Sequence, residues 1–325
     1  GETDNTAVGY LAGEKMTSGT SNTLLGSKAG TAITTAVNNI WIGYRAGDAN
    51  TTGGANCVVG NDAFGIITTD QLCTGFGYNA GAYAEADIGN RYLVAIGNDA
   101  GYRFGPAIHS TAVGANAGNY ATGSYNTFVG SQAGKGATTS APYSSGQYNI
   151  ALGYEALTEF TTGGKNVAIG YGAGKAHTTS NWGIYIGYEA GNDVTSGGQN
   201  VLIGGEAGSK IVTADRNVAI GGAAMQIGTG GSNTMVGDNA GAAATTASGS
   251  VFVGRLAGGT ATTGNNNIAI GNDAMNGGTT TGDNNIAIGV SAGDALTSAD
   301  GAVFIGKDAG GAVTTAGGYA GTIIG

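Results

Sequence analysis

Charge is scarce in this chain of 325 residues, in which only 10% of the side chains are Asp, Glu, Lys or Arg. An ordinary globular protein carries about 25%. The net charge is −9, and no basic stripe of the kind that a nucleic-acid-binding protein needs is present. The chain also lacks a run of about 18 apolar residues, so we expect no membrane insertion by this segment. Composition therefore argues against nucleic acid as a partner and against a membrane-spanning role.

Proline, cysteine and histidine are also rare. The chain has two prolines, and its 66 glycines follow no Gly-X-Y period, which excludes collagen. Cys57 and Cys73 are too few for a disulfide scaffold, and they fall on opposite faces of the repeat described below, so a bridge between them is not expected. His109 and His177 lie in separate linkers and are interpreted as exposed loop residues. We therefore predict no catalytic centre, no metal site and no cofactor, and the chain is not expected to be an enzyme.

What the chain does contain is a tandem repeat. A glycine closes each short apolar run, and these anchor glycines are mostly 17 residues apart. The anchors are Gly9, Gly26, Gly43, Gly60, Gly77, Gly97, Gly114, Gly130, Gly153, Gly170, Gly187, Gly204, Gly221, Gly237, Gly254, Gly271, Gly289, Gly306 and Gly325. No heptad fits a 17-residue period, and β-branched residues dominate the apolar runs. The pattern predicts an all-β parallel β-solenoid, or β-roll, of about 19 rungs with a 17-residue period.

We expect residues 1–325 to form a single continuous solenoid array. The chain begins without methionine and stops inside a repeat, so it is interpreted as a fragment of a longer fibre protein.

The residue before each anchor is always Val, Ile, Leu or Phe. Stacked coils place like residues on like residues, so this column is predicted to form the structural core. The predicted core residues are Val8, Leu25, Ile42, Val59, Ile96, Val113, Ile169, Ile186, Ile203, Ile220, Ile270, Ile288 and Ile305.

Asparagine recurs four residues before most anchors. A stacked asparagine column can hydrogen-bond along the solenoid axis, so an Asn ladder is predicted. Its members are Asn5, Asn22, Asn39, Asn56, Asn126, Asn149, Asn166, Asn200, Asn217, Asn233, Asn267 and Asn285. Alanine three after the anchor, usually followed by glycine, is typical of a tight corner.

The column two residues before the anchor is uncharged, and its size varies from Gly75 to Trp41. A narrow coil interior should not tolerate that range in register, so the column is predicted to face outward. An apolar strip of this length needs a cover, and other copies of the chain are the simplest one. The predicted oligomer interface comprises Trp41, Phe128, Tyr185, Phe252 and Phe304.

Two surface features are candidates for recognition. Tyrosines follow several anchors directly and can either pack as a ladder or stack on sugars. Protruding loops on a rigid scaffold commonly carry recognition, and one long linker contains Pro142. The candidate recognition residues are Tyr10, Tyr44, Tyr78, Tyr154, Tyr171, Tyr188 and Pro142.

Paired threonines, such as Thr34 and Thr35, recur eight and nine residues after the anchor. One hydroxyl of each pair is expected to face outward, which gives a flat ladder of the kind that ice-binding solenoids present. The alternative interpretation is good β-propensity in the second half of the coil.

The run Asn-Val-Ala-Ile-Gly at residues 166–170 and 217–221 resembles the head repeats of trimeric autotransporter adhesins. The longer run Asn-Thr-Ala-Val-Gly-Tyr-Leu-Ala-Gly at residues 5–13 resembles repeats in phage tail fibres and in large secreted bacterial proteins. The resemblance implies a homotrimer, located outside a cell, on a cell surface or on a virion, that attaches one thing to another. It carries over no binding residues, because it covers only the scaffold.

The sequence is therefore interpreted as a structural and adhesive extracellular fibre segment, either of a bacterial surface adhesin or of a phage tail fibre. Its expected partners are other copies of itself, as a trimer or filament, and cell-surface glycans or proteins. One alternative is a purely structural self-assembling extracellular filament. Another is an ice-binding solenoid that uses the threonine ladder.

Overall fold

The structure, a computed structural model, describes residues 4–84, 91–137, 143–314 and 321–325. These residues contain β-strands and turns and no helix. The chain divides into two compact units, Gly1–Lys165 and Asn166–Gly325, both built from the same repeat. The all-β prediction is confirmed, whereas a single continuous array stays a prediction.

In the first unit, each repeat contributes one three-residue strand, and consecutive strands pair in parallel. The strands are β1 (Thr6–Val8), β2 (Thr23–Leu25), β3 (Ile40–Ile42), β4 (Cys57–Val59), β5 (Thr74–Phe76), β6 (Val94–Ile96), β7 (Thr111–Val113), β8 (Thr127–Val129) and β9 (Ile150–Leu152). Their register matches equivalent positions of successive repeats, so that Thr6 faces Thr23 and Ile40 faces Cys57.

The second unit follows the same plan. Its main strands are β10 (Val167–Ile169), β11 (Ile184–Ile186), β12 (Val201–Ile203), β14 (Val218–Ile220), β16 (Thr234–Val236), β17 (Val251–Val253), β18 (Ile268–Ile270), β19 (Ile286–Ile288), β20 (Val303–Ile305) and β21 (Thr322–Ile324). A separate parallel pair joins β13 (Lys210–Ile211) to β15 (Ile227–Gly228). The described part of each unit is a parallel β-solenoid with the predicted 17-residue period, and the two units contain about 18 turns in all.

The anchor glycines are required by the stacking itself. Gly26 has a φ of +139°, a conformation that residues with a Cβ rarely adopt. A Cβ placed there would lie 2.5 Å from the carbonyl oxygen of Gly43, the anchor of the next turn. Each anchor therefore lets one turn of backbone lie directly on the next.

The structure contradicts the predicted core. The middle residue of each strand points into the coil, and Leu24, Trp41 and Val58 are fully buried. The residues predicted as core lie on the outer side of the strands and are all half-buried or exposed, with Val8 56% exposed. The corrected residues are Val8, Leu25, Ile42, Val59, Ile96, Val113, Ile169, Ile186, Ile203, Ile220, Ile270, Ile288 and Ile305.

The predicted oligomer interface is wrong for the same reason, because the middle column is the inner one. Its large members are at most 1% exposed within their own coil and cannot face a second chain. These residues are Trp41, Phe128, Tyr185, Phe252 and Phe304.

The interior tolerates this range of sizes because the second half of the coil compensates for it. Gly75 leaves a gap in its strand, and the buried ring of Phe64 fills it, with Cδ2 2.8 Å from where a Cβ of Gly75 would be. The residue nine positions after the middle residue of a strand tends to be large where that middle residue is small. It tends to be small where the middle residue is large. Such pairs are Ala95 with Phe104, Ala151 with Phe160, Ala287 with Leu296, Trp41 with Asn50, and Phe252 with Ala261. Packing density is thus kept turn by turn.

The asparagine ladder is present within the coil corners. The Oδ1 atom of Asn22 accepts hydrogen bonds from the backbone N and the Nδ2 of Asn39, both at 3.1 Å. Asn39 Nδ2 also donates to the carbonyl of Gly53 at 2.9 Å. All predicted members except the half-buried Asn5 are buried. Because an unpaired buried amide is costly, the ladder stabilises both the corner and the stacking register.

One ion pair is buried inside the first unit. Arg91 and Asp70 are both fully buried, with Nη1 of the arginine 2.9 Å from Oδ2 of the aspartate. The guanidinium also donates to the carbonyls of Ala84, Ala107 and Gly105. Arg91 follows the stretch that lengthens this repeat to 20 residues, so its side chain ties the longer turn to the stack.

Because the middle residue of a strand points into the coil, a charged side chain at that position should destabilise the solenoid more than one on its surface. Ala219→Asp places an unpaired carboxylate in the coil interior. It should lower the free energy of unfolding by at least about 3 kcal/mol. Gly205→Asp is the matched control, because a Cβ at Gly205 has no atom within 4 Å. Chemical denaturation followed by circular dichroism measures both. Equal stability of the two variants would contradict the assignment.

Removal of one partner of the buried ion pair should be more harmful than removal of both. Asp70→Ala leaves the Arg91 charge buried without its carboxylate and should cost about 3–5 kcal/mol. The double variant Asp70→Ala with Arg91→Met should recover part of that loss. A double-mutant cycle in denaturant gives the coupling energy, and additive effects would show that the pair is not coupled.

Candidate functional site

The outer side of the strands forms one apolar surface in each unit. We call it the outer sheet face, and it consists of the first and third residues of every main strand, β1–β9 in the first unit and the ten main strands of the second. No charged residue occupies these positions, and β-branched residues fill most of them. In the second unit, for example, Ile184, Ile186 and Ile203 are all partly exposed. Aligned parallel strands make such a face flat and regular.

The two cysteines lie in adjacent turns, where Cys57 N donates to the Cys73 carbonyl at 2.9 Å, and both are free. Cys57 is exposed on the outer sheet face in β4. Cys73 is buried in the asparagine column, where its backbone N donates to Asn56 Oδ1 at 2.9 Å. Burial raises the pKa of the Cys73 thiol to about 12, so Cys73 is unreactive at neutral pH, whereas Cys57 is accessible to reagents.

The predicted tyrosine column is exposed at the corner that follows each strand. Tyr171 and Tyr188 stack with their ring centroids 5.4 Å apart, which shows that neighbouring members of the column pack on each other. The exposed members of the column are Tyr10, Tyr44, Tyr78, Tyr154, Tyr171 and Tyr188. Pro142, the other predicted recognition residue, lies outside the described residues.

A cleft of about 280 Å³ opens beside Tyr78 in the first unit. The cleft lies where the fifth residue after the anchor is small in two successive turns. These residues are Gly65 and Ala82, and the larger Asp48 and Tyr102 occupy the same position in the turns on either side. We call it the tyrosine cleft, and its lining consists of Arg45, Asp62, Gly65, Ile66, Tyr78, Asn79, Ala82, Tyr83 and Tyr102.

One guanidinium faces two carboxylates at the tyrosine cleft. Arg45 Nε lies 3.0 Å from Asp48 Oδ2, and Arg45 Nη1 lies 3.3 Å from Asp62 Oδ1. The hydrogen bond to Asp48 is the main reason that the pKa of Arg45 is raised. Burial and a hydrogen bond to Tyr83 raise the pKa of the Tyr102 phenol to about 12. The cleft therefore presents the Arg45 ion pairs beside a Tyr102 phenol that stays neutral at physiological pH.

A guanidinium holds two of the cleft's rings in place. The Arg103 Cζ lies 4.8 Å from the ring centroid of Tyr83 and 5.6 Å from that of Tyr102. The two rings are themselves 4.8 Å apart. Cation–π contacts of this kind restrict the rings before any ligand arrives.

A second aromatic array escaped the sequence reasoning. Tyr92, His109, Tyr125 and Tyr148 stack in that order, with centroids 4.7, 5.4 and 4.9 Å apart and planes within 9° of parallel. All four are exposed, so the interpretation of His109 as a surface residue is confirmed. Each lies five residues before an anchor, and that shared position was the signal available in the sequence. Adjacent rings cover one another's faces, so the stack stabilises the surface of the solenoid.

In several threonine pairs the first residue donates its hydroxyl to the next turn, whereas the second, as at Thr35, Thr52 and Thr179, is exposed. Thr34 Oγ1 donates to the carbonyl of Thr51 at 3.2 Å, and Thr51 Oγ1 donates to the carbonyl of Thr68 at 3.1 Å. Thr178 does the same toward Thr195 at 3.0 Å. These donors are directed along the solenoid axis.

No family model matches the chain, and neither a curated protein nor a solved structure shows significant similarity to it. Within the described residues, no helix is long and apolar enough to cross a membrane, and no three or more His, Cys, Asp or Glu residues are grouped as a metal site would need.

His177 departs from its interpretation as an exposed loop residue. It points into the coil of the second unit and is fully buried, with Nε2 2.8 Å from the carbonyl oxygen of Ser180 and 2.9 Å from Asn166 Nδ2. Its Nδ1 has no hydrogen-bond partner among the residues that the structure describes. Its position is nine residues after the small Ala168, so it belongs to the size compensation of the core.

Burial lowers the pKa of His177 from 6.5 to about 4. The unfolded chain therefore binds a proton that the folded chain excludes between these values, and stability is lost as the pH falls through this window. We expect a loss of up to about 3 kcal/mol at pH 4 relative to pH 7 from this residue.

His177→Leu should remove that part of the pH dependence, whereas His109→Gln should leave it unchanged. Denaturant titrations at a series of pH values measure both differences from the parent. Parallel curves for the parent and His177→Leu would contradict a neutral buried histidine.

Proposed function

We propose that this chain is a structural and adhesive segment of an extracellular fibre that associates with itself as a homotrimer through the outer sheet face. The observation that carries the proposal is this uncharged face, which each unit presents along its length. Exposed apolar patches of more than a few hundred Å² are rare on monomers and mark interaction sites. The partner that fits is another copy, because a flat regular sheet matches an identical sheet without special adjustment.

The repeat motif supports three copies rather than two. The run Asn-Val-Ala-Ile-Gly that resembles trimeric autotransporter head repeats coincides with β10 and β14, so its Val and Ile lie on the outer sheet face. Self-association thus remains the proposal, but through the face opposite to the one that the sequence suggested. Location on a cell surface or virion belongs to the same proposal.

Two rivals make different predictions. A purely structural filament would use the same face but would grow with concentration instead of stopping at a trimer. An ice-binding surface would need outward hydroxyls. In the pairs that begin at Thr34, Thr51 and Thr178, only the exposed second threonine could supply them, because the first donates along the axis. The flat outer sheet face is better explained by contact with another protein surface than with water.

The mass in solution tests the trimer. The parent should have three times the chain mass of 31.5 kDa in analytical ultracentrifugation, independent of concentration. Ile42→Lys with Val113→Lys places two charges on the outer sheet face and should give a folded monomer or an aggregate. Thr52→Lys with Ala115→Lys adds the same charge at exposed positions off the face and should remain trimeric.

Cys57 gives a second readout of the same association. A maleimide should label it slowly in the trimer and at least about tenfold faster in the Ile42→Lys, Val113→Lys variant, while Cys73 stays unlabelled in both. A parent that is a monomer with a rapidly labelled Cys57 would contradict the proposal. A mass that rises steadily with concentration would support the filament instead.

A further inference from the structure

The tyrosine cleft is a local departure from a regular scaffold. The fifth position after the anchor varies along the chain, and here two small residues, Gly65 and Ala82, follow one another between the larger Asp48 and Tyr102. The hollow is therefore made by two small residues on a rigid stack of turns. Its volume, about 280 Å³, suits a ligand of about one or two sugar rings.

The walls of the cleft combine apolar rings with groups that both donate and accept hydrogen bonds. Tyr78 is 53% exposed and Tyr83 is 38% exposed, so each offers ring surface and a hydroxyl to a ligand. Arg45 supplies donors, Asp62 supplies acceptors, and Asn79 supplies both. A ring with C–H groups on its faces and hydroxyls at its edge matches this set.

The charges restrict the ligand further. Arg45 has two carboxylates, those of Asp48 and Asp62, within 3.3 Å, so its positive charge is more than neutralised. An anionic ligand would be repelled by the second carboxylate. A hydroxyl can donate to the carboxylate and accept from the guanidinium, so it satisfies both without displacing either.

We propose that the tyrosine cleft is a binding site for a neutral saccharide. Tyr78 and Tyr83 contact the sugar ring, and Arg45, Asp62 and Asn79 bind its hydroxyls. This inference deepens the proposed adhesive function and rests on it. Because Arg103 restrains Tyr83 and Tyr102 in the unliganded protein, binding loses little conformational entropy. A small polar site binds weakly by itself, and several copies in one fibre would raise the avidity.

The test is binding of the full chain to immobilised neutral oligosaccharides built from glucose, galactose, mannose and N-acetylglucosamine, beside sialylated and uronate-containing oligosaccharides. The best neutral oligosaccharide is then titrated in solution by calorimetry. We expect the parent to bind neutral and not anionic sugars. Tyr78→Ala should weaken binding at least tenfold, and Ala82→Met, which fills the hollow, should abolish it.

Tyr10→Ala is the matched control, because Tyr10 occupies the same column, is 71% exposed and lies outside the cleft. It should bind as the parent does, and thermal melts should show that all variants are folded. The site would be overturned if the parent bound no sugar or bound only anionic sugars. It would also be overturned if Tyr78→Ala and Tyr10→Ala weakened sugar binding equally. A trimer that binds no sugar refutes this site alone, and a monomer that binds sugar through the cleft refutes the trimer alone.

Discussion

The structure depends on one constraint, the direct stacking of each turn on the next through parallel backbone hydrogen bonds. Gly43 N, for example, donates to the Leu25 carbonyl at 2.8 Å, one turn away. At strand spacing of about 4.8 Å, nothing larger than hydrogen fits between successive anchors, so glycine recurs there. The same closeness brings each asparagine within reach of the next and turns a buried amide into a stabilising ladder.

The period, the parallel strands and the asparagine ladder could all be predicted, because each follows from the recurrence of similar residues at equivalent positions of successive repeats. The direction of the strand faces could not be read in the same way. Alternation says that Ala168 and Ile169 point to opposite sides, but it does not say which side is inside when both are apolar. The deciding information lies nine residues away, in pairs such as Ala95 with Phe104, which share the interior of one turn.

The candidate site was predictable only in part. The column containing Tyr78 could be recognised because it recurs, and its exposure follows from its place at the corner. The tyrosine cleft could not, since it depends on two successive small residues, Gly65 and Ala82, at a variable position and on the contact of Tyr83 with Arg103 across turns. The burial of His177 was missed for a related reason: a linker position that looks polar is one of the inward positions of the coil.

The contrast between the two strand faces supports self-association on physical grounds. A residue inside the coil meets only its own turn and its neighbours, so Trp41 or Gly75 can be accommodated by a local change on the opposite side. A residue on the outer sheet face has no such compensation if it contacts a second chain, because one bulky turn would hold the surfaces apart over several others. Similar β-branched residues from turn to turn are what that contact requires, and the variable column lies inside while the uniform columns lie outside.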